Sequence, residues 1–332
     1  MTVASGLAAI PGPALGVVCA DFDGDHWPDI FLADDGKPNR LFINRRNGTF
    51  GEEAVQRGLA FNALGQTAGN MGIAIGDVDN DGWFDLFVTH LSEEHHALWM
   101  QKPRGTFQER TGMAGLVNQA WRGTGFGTVL ADFDRDGALD LALVNGLVKR
   151  RVDSAAPSAP GTHPFWQPYA QRAQLFMNTG RGQFQDVSEA NPAFCWVSSV
   201  GRGLAAGDLD NDGAPDLVST SVGGPARILH NVAPAQGRWL TLRAIEPQYG
   251  GRDAYGAELT VQAAQQRWVA LIQPGTSYLC SNDPRAHFGL GQSTGPVSIE
   301  VRWPEGESEW FTVTEANQQL VLRKGTGRKE NR

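Results

Sequence analysis

The sequence predicts an all-β protein in which β-propeller blades are followed by a small β-sandwich-like domain. Three observations support this prediction: a nine-residue acidic motif occurs four times, short apolar runs flank each copy, and the chain contains 41 glycines and 18 prolines. Frequent glycine and proline indicate many tight turns, which favour a β-rich chain over a helical one. With 332 residues, 41% of them hydrophobic, the chain can bury a substantial core.

The acidic motif defines the repeating unit. Each copy has aspartate at positions 1, 3, 5 and 9, and successive copies begin 56, 55 and 76 residues apart. Self-similarity at a fixed period is typical of repeat architectures. The four copies are loop 1, "DFDGDHWPD" (21–29), loop 2, "DVDNDGWFD" (77–85), loop 3, "DFDRDGALD" (132–140), and loop 4, "DLDNDGAPD" (208–216).

Each unit contains four short predicted strands. A glycine-rich stretch of small residues precedes each loop, and the apolar runs "IFLAD", "LFVTH", "LALVN" and "LVSTS" follow. A second run comes next, and the first three units then share a "GTF" or "GQF" turn at 48–50, 105–107 and 182–184. Four strands in a unit indicate propeller blades rather than a helical solenoid. We therefore predict about four blades over 1–235, which could form part of a larger propeller.

The region after residue 235 has a different pattern. Five alternating runs, split by Gly/Pro turns, predict a small β-sandwich over 236–325, with 326–332 as a flexible tail. Within "SNDPRAHFGLG" (281–291), the polar residues form either a binding constellation or a hydrogen-bonded corner. These residues are Asn282, Asp283, Arg285 and His287.

The spacing between loops 3 and 4 includes about 22 additional residues, around 149–172. The Pro, Ala and Ser content of this segment predicts a surface loop, and its "HPFWQPY" stretch places three aromatic residues there. Long ordered loops are often functional, so the segment either packs its own aromatic residues or contacts a ligand.

Composition limits the possible partners. The formal net charge of −8 argues against nucleic acid, because phosphate binding needs clustered Lys and Arg. No run of about 18 apolar residues occurs, so we predict no membrane span. The three cysteines lack a CxxC spacing and predict neither a disulfide framework nor a zinc site.

The four loops contain 16 of the 36 acidic residues, and this concentration predicts a metal. Two carboxylates about 5 Å apart repel by roughly 3 kcal/mol at an effective dielectric constant near 20, and a divalent cation relieves this repulsion. Clustered carboxylate oxygens suit Ca²⁺, whereas Mg²⁺ retains its waters and transition metals prefer His or Cys. An EF-hand would need a glutamate at position 12, where these loops have Leu32, Val88, Leu143 and Ser219.

We therefore predict about four Ca²⁺ ions. Glycine at position 6 of loops 2 to 4 would allow a left-handed turn, whereas loop 1 has His26 there and is expected to be the weakest site. The predicted carbonyl ligands at position 7 are Trp27, Trp83, Ala138 and Ala214. The predicted side-chain ligands are Asp21, Asp23, Asp25 and Asp29; Asp77, Asp79, Asp81 and Asp85; Asp132, Asp134, Asp136 and Asp140; and Asp208, Asp210, Asp212 and Asp216.

The loops and their "GTF" turns resemble FG-GAP/VCBS repeats. The stretches "GRDAYGAELTVQ", "SNDPRAHFGLG" and "VSIEVRWPEG" resemble the ASPIC/UnbV domain that follows such repeats in the cartilage acidic protein-like family. The resemblance implies an extracellular or periplasmic protein with an unidentified protein or glycan ligand. Family members usually carry about seven blades and a secretion signal, and "TVASGLA" (2–8) resembles the tail of a preceding repeat. We therefore expect this chain to be part of a longer protein.

Two classes of function are compatible with the sequence. The first is a Ca²⁺-stabilised recognition or scaffold protein, and the second is a hydrolase or lyase that acts on polysaccharide with carboxylates as acid and base. The sequence has no GxSxG, HExxH or phosphate-loop motif, which favours the non-enzymatic role. The adjacent His95 and His96 are interpreted as a surface turn, because neighbouring residues of a strand face opposite sides.

Overall fold

A computed structural model describes residues 2–118, 121–151 and 159–329. The predicted all-β class is confirmed, since β-sheets account for nearly all of the regular structure in these residues, with every strand pair antiparallel except one in the C-terminal region. One four-residue α-helix, α1 (Pro192–Cys195), is present with four short 3₁₀ turns at Leu7–Ala9, Gln167–Tyr169, Ser188–Ala190 and Pro247–Tyr249.

Four successive antiparallel sheets form the predicted blades, and each has its strands in chain order. Blade 1 contains β1 (Ala14–Ala20), β2 (Asp29–Lys37), β3 (Arg40–Asn44) and β4 (Phe50–Glu52), and β5 (Ala68–Gly69) pairs with β2. Blade 2 contains β6 (Ile73–Gly76), β7 (Asp85–Val88), β8 (Ala97–Gln101) and β9 (Phe107–Glu109). Blade 3 contains β10 (Gly125–Ala131), β11 (Asp140–Asn145), β12 (Gln174–Asn178) and β13 (Phe184–Asp186). Blade 4 has three strands within the described residues, β14 (Gly201–Gly207), β15 (Asp216–Ser221) and β16 (Arg227–Leu229). The prediction of four strands in each unit is therefore wrong for this blade, because the chain continues from β16 into the C-terminal region.

Each acidic loop is the turn between the first and second strands of its blade. The ladders end on the pairs Ala20↔Asp29, Gly76↔Asp85, Ala131↔Asp140 and Gly207↔Asp216. The ninth residue of every loop therefore begins the second strand, as the motif spacing predicts.

Neighbouring blades pack face to face through apolar side chains. Phe22, Phe31 and Leu41 of blade 1 share a core with Leu86 and Trp99 of blade 2. The same pattern continues between blades 2 and 3 and between blades 3 and 4. Because one sheet alone cannot bury both of its faces, this stacking supplies most of the core of the repeat region.

The outer face of blade 4 is exposed. Ile228 is 73% exposed, whereas Leu41 and Leu98, at the same position in blades 1 and 2, are 0% and 1% exposed. Leu209, at position 2 of loop 4, is 54% exposed, although the equivalent Phe22 is completely buried. This face has the side chains of a blade interface, and none of the described blades packs on it.

The C-terminal region folds as two four-stranded sheets that enclose one core, as the sandwich prediction requires. Trp303, Val261 and Ile299 are among its fully buried residues. The first sheet contains β17 (Arg238–Glu246), β18 (Arg252–Asp253), β21 (Ala286–Gly291) and β24 (Gln318–Arg323). The second contains β19 (Glu258–Ala263), β20 (Gln266–Leu271), β22 (Val297–Arg302) and β23 (Ser308–Val313). We call this region the C-terminal domain. The boundary predicted at 235/236 falls between β16 and β17, and the independence of the two parts is still a prediction.

The segment between β20 and β21 reaches across the first strands of three blades. Ser277 pairs with Ile73 of blade 2 in an isolated β-bridge, and its Oγ donates to the Leu204 carbonyl oxygen of blade 4 at 2.7 Å. The ring of Tyr278 packs edge-on against Phe126 of blade 3, with 5.0 Å between centroids. The C-terminal domain therefore joins blades 2 to 4 through this segment.

Three further expectations can be compared with the structure. The long loop is described at 149–151 and 159–172, and residues 152–158 of that prediction lie outside the described part of the chain. Trp166 and Tyr169 pack on a small apolar cluster, while Phe165 is 62% exposed. The three cysteines are free, and only Cys195 is completely buried. Within the described residues, no helix is long and apolar enough to cross a membrane.

Candidate metal loops

The four loops share one scheme of backbone hydrogen bonds to carboxylates. In loop 2, Asp77 accepts the N–H groups of Asp81 and Gly82 at 3.1 and 2.8 Å. Asp85 accepts the N–H of Val78 at 3.0 Å and that of Gln101, at the end of β8, at 2.9 Å. Loops 1, 3 and 4 repeat these contacts with their own residues. Aspartates at positions 1 and 9 therefore fix the turn, which explains their spacing independently of a metal.

Each loop brings at least three of its aspartates together. Carboxylate oxygens from positions 1, 3 and 9 lie within 4.8 Å of one another in loops 1 and 2, and those from positions 1, 3 and 5 do so in loops 3 and 4. In loop 4, Asp210 and Asp216 also form a group with His230. The position-7 residue donates its N–H to the position-5 carboxylate, as Trp83 does to Asp81 at 3.0 Å. Its role as a carbonyl ligand is still a prediction.

Burial raises the pKa of several loop carboxyls. The pKa values of Asp77 and Asp132 rise to about 7, first because burial disfavours the charged form and further because of neighbouring aspartates. The same causes raise the pKa of Asp29 to about 7 and that of Asp140 to about 8. Backbone N–H donors oppose the shift in all four groups. Without a cation, the loops therefore favour proton uptake.

The donor set of loops 2 and 3 fits a hard divalent cation. Every predicted side-chain ligand is a carboxylate oxygen, which is the ligand type that Ca²⁺ prefers. Asp79 Oδ1 is buried and has no hydrogen-bond partner in the described residues. Among the described residues, no basic side chain lies within 4.0 Å of a carboxylate of these two loops. A buried, unpaired carboxylate is costly, and a bound cation would remove that cost.

Position 6 shows the expected left-handed backbone and an additional constraint. The φ angles are 92°, 96° and 85° at Gly82, Gly137 and Gly213, and 72° at His26. A Cβ added at Gly213 would lie 2.0 Å from the Trp239 ring of the C-terminal domain. The absence of a side chain therefore permits both the turn and the close approach of the other domain.

The C-terminal domain packs directly on the loops. Trp268 Nε1 donates to the Gly137 carbonyl oxygen of loop 3 at 2.9 Å. Arg285 Nη2 donates to the Asp208 carbonyl oxygen of loop 4 at 2.7 Å. Asp77, Asp132 and Asp208, the first residues of loops 2 to 4, line a cavity of about 180 Å³ between the blades and this domain. The loops are thus part of an interdomain contact, which the sequence did not reveal.

The polar residues of 281–291 belong to the same contact. Asn282 Oδ1 accepts the N–H of Ala206 at 2.9 Å, and Arg285 is paired with Asp283. His287 Nε2 contacts the Gly213 carbonyl oxygen at 2.8 Å, and burial lowers the pKa of this histidine to about 4. Neutral His287 can therefore donate from Nε2. The constellation is a hydrogen-bonded corner: Asp283 and Arg285 pair within the segment, while Asn282, Arg285 and His287 also bind backbone groups of blade 4 and its loop.

The histidine turn differs in part from its prediction. His95 is exposed, as expected, but His96 is turned inward and its Nδ1 accepts the N–H of His90 at 3.0 Å. Burial lowers the pKa of His96 to about 3 and that of His90 to about 4. Both residues lie in the turn between β7 and β8, as interpreted, but His96 is half-buried rather than exposed.

Comparison with known proteins agrees with this architecture. The model of the FG-GAP-like repeat matches residues 21–88, 77–143 and 165–219, and the model named "ASPIC and UnbV" matches 248–329. Cartilage acidic protein 1 of Xenopus tropicalis is 27% identical over 300 residues, which cover 89% of this chain and 42% of the relative. The human protein of that name is 26% identical over 302 residues, with 89% and 41% covered. The chain thus spans about two fifths of the length of these relatives.

Among solved structures, the chain is similar to a lectin of Agrocybe aegerita, whose structure was described for its recognition of non-reducing terminal N-acetylglucosamine. The two chains are 18% identical, the match covers 64% of this chain and 51% of the lectin, and the TM-score is 0.34. The family assignment rests on the matched repeats, the matched C-terminal domain and the relatives that extend over both. The chain belongs to the family of FG-GAP repeat proteins with an ASPIC/UnbV domain that includes cartilage acidic protein 1.

Proposed function

We propose that the protein is an extracellular recognition or scaffold protein whose acidic loops hold structural Ca²⁺. The observation that carries the proposal is at loop 2, where Asp77, Asp79 and Asp85 converge within 4.8 Å and Asp79 Oδ1 is buried with no hydrogen-bond partner among the described residues. Side-chain oxygens at positions 1, 3, 5 and 9 would hold the ion, together with the position-7 carbonyl oxygen. Its charge would offset the repulsion among carboxylates that folding brings together.

The proposed role of the ion is structural. Trp268 and Arg285 bind backbone carbonyl groups of loops 3 and 4, so a cation that orders these loops would also support the docking of the C-terminal domain. A ligand that binds the folded state alone raises the free energy of unfolding by mass action.

Family membership supports the extracellular location. The curated relatives are named for cartilage, a tissue rich in extracellular matrix, and this favours secretion to the exterior over a periplasmic location. The corresponding activity would be recognition of a protein or glycan partner on a rigid β scaffold.

Calorimetric titration of chelated, repurified protein with Ca²⁺ tests the proposal, with Mg²⁺ as the matched control ion. We expect saturable binding of several Ca²⁺ ions, a higher melting temperature with Ca²⁺, and a much weaker response to Mg²⁺. A heat signal equal to the buffer blank, together with an unchanged melting temperature, would refute the structural role.

A further inference from the structure

Loop 1 differs from the other loops in the charges that face it. Arg46 Nε lies 2.6 Å from Asp25 Oδ2, and Arg57 Nη2 lies 3.1 Å from Asp23 Oδ2. Asp21 Oδ2 lies 3.4 Å from Arg104 Nη2 and 3.2 Å from Arg302 Nη1. The first three aspartates of loop 1 therefore each have a guanidinium partner, whereas the carboxylates of loops 2 and 3 have no basic partner within 4.0 Å in the described residues.

Asp21 has no spare capacity for a metal. Its Oδ1 accepts the N–H groups of Gly24 and Asp25, and its Oδ2 accepts the N–H of His26 as well as the two guanidinium groups. An ionised carboxylate has about four lone-pair sites, so these five donors saturate it. Within the described residues, Asp77, at the same position of loop 2, accepts only the two backbone N–H groups described above.

The arginines come from four separate parts of the fold. Arg46 lies in the β3–β4 turn, Arg57 follows β4, Arg104 lies in the β8–β9 turn of blade 2, and Arg302 ends β22 of the C-terminal domain. Two of these arginines have no counterpart in blade 2. Ala114 is at the position of Arg57 there, and Pro103 is at the position of Arg46. The next residues, Gly58 and Gly115, confirm this alignment, since each has φ of 80° and abuts the carbonyl of the following blade's phenylalanine.

Displacing these arginines would be costly. The side chains of Arg302 and Arg57 are only 16% and 18% exposed, and both are shared with glutamates, Glu258 for Arg302 and Glu53 for Arg57. Removal of one partner from a partly buried ion pair leaves the other charge poorly solvated. A cation entering loop 1 would have to separate these pairs before it could bind.

We propose that loop 1 does not hold Ca²⁺, because the protein's own arginines neutralise its carboxylates and Arg302 makes the loop an ion-paired contact between blade 1 and the C-terminal domain. This inference rests on the proposed function, since it assigns Ca²⁺ to loops 2 to 4 only. The sequence ranked loop 1 as the weakest site because of His26; the ion pairs supply a stronger reason and change the expected number of ions from about four to three.

The test counts bound Ca²⁺ in the whole chain by equilibrium dialysis and elemental analysis. We expect three ions in the wild type, three in Asp21→Asn and two in Asp77→Asn, which removes the same carboxylate from loop 2. The double variant Arg104→Met/Arg302→Met should bind a fourth ion, because Asp21 regains free lone pairs. Melting curves establish that each variant is folded, and Asp23→Asn replaces Asp21→Asn if the latter does not fold.

Four ions in the wild type, reduced to three by Asp21→Asn, would overturn the inference and leave the proposed function intact. If the wild type binds four ions and the double arginine variant gains none, the inference is also overturned and the proposed function is left intact. No bound Ca²⁺ in any variant would overturn the proposed function as well.

Discussion

The Oγ atom of Ser277 accepts a hydrogen bond from the backbone N–H of Thr128 at 3.0 Å, across 149 residues of sequence. The same hydroxyl donates to the Leu204 carbonyl oxygen at 2.7 Å, and both contacts are buried. One side chain of the C-terminal domain thus satisfies backbone groups in blades 3 and 4. These backbone groups would be left unpaired without it.

Ser277→Ala should therefore lower the free energy of unfolding by about 1–3 kcal/mol, the cost of leaving buried polar groups without partners. Urea unfolding measures this change. The matched control is Ser281→Ala, in the same segment, where the residue is exposed. Equal stability of the two variants would show that the Ser277 contacts do not support the fold.

Asp81→Ala should lower the melting temperature strongly in millimolar Ca²⁺ and only weakly in chelator. In Ca²⁺ the change removes a ligand, whereas in chelator it also removes repulsion with Asp79. Thermal melting under both conditions gives the comparison. Asp25→Ala, at the same position of loop 1, is the control and should respond alike in Ca²⁺ and in chelator. If Asp81→Ala also behaves alike in both, loop 2 does not hold a structural metal.

In chelator, the free energy of unfolding should fall as the pH rises from about 5 to about 8. Aspartate in an unfolded chain titrates near pH 4, whereas the folded pKa values of Asp77, Asp132 and Asp140 are about 7, 7 and 8. The folded state therefore binds more protons across this window, so added base favours unfolding.

Saturating Ca²⁺ should cancel or reverse that slope, since the ion binds deprotonated carboxylates and its affinity increases with pH. Melting temperatures measured across this range with Ca²⁺ and with chelator provide the check. Parallel slopes in the two conditions would contradict the assignment of these carboxylates to a metal.

Leu98→Ala and Ile228→Ala test the blade interfaces at one repeat position. Leu98 is buried between blades 2 and 3, so its truncation should cost about 2–5 kcal/mol. Ile228 is on the exposed face of blade 4, so its truncation should change the free energy of unfolding by no more than about 0.5 kcal/mol. A large loss at Ile228 in denaturant titration would mean that another surface covers this face in solution.

Limited proteolysis should cut the chain within 232–235. Val232 is 82% exposed. The chain is fixed again at Gln236, whose N–H donates to the Asp134 carbonyl oxygen at 2.7 Å. This cleavage would release fragments that correspond to the predicted regions 1–235 and 236–325. Preferred cleavage inside the strands of either part would argue against that boundary.

The sequence alone determined the all-β class, the four repeats and the position of every acidic loop. These features follow from local chemistry: aspartates at positions 1 and 9 accept backbone N–H groups of their own turn, and glycine at position 6 permits a positive φ angle. The interactions span a few residues, so their spacing is visible in the sequence.

Only the tertiary structure decided which groups surround those loops. The contact of Trp268 with Gly137 joins residues 131 positions apart, and that of Arg302 with Asp21 joins residues 281 positions apart. Arg302 lies in the stretch "VSIEVRWPEG" and Trp268 in no quoted motif, but a tryptophan or arginine in an alternating strand has no local feature that specifies its partner. The packing of blade 2 and of the C-terminal domain against blade 1 therefore brings Arg104 and Arg302 to loop 1, whereas the carboxylates of loops 2 and 3 have no basic partner within 4.0 Å in the described residues. Charge pairing depends on distances in space rather than on spacing along the chain.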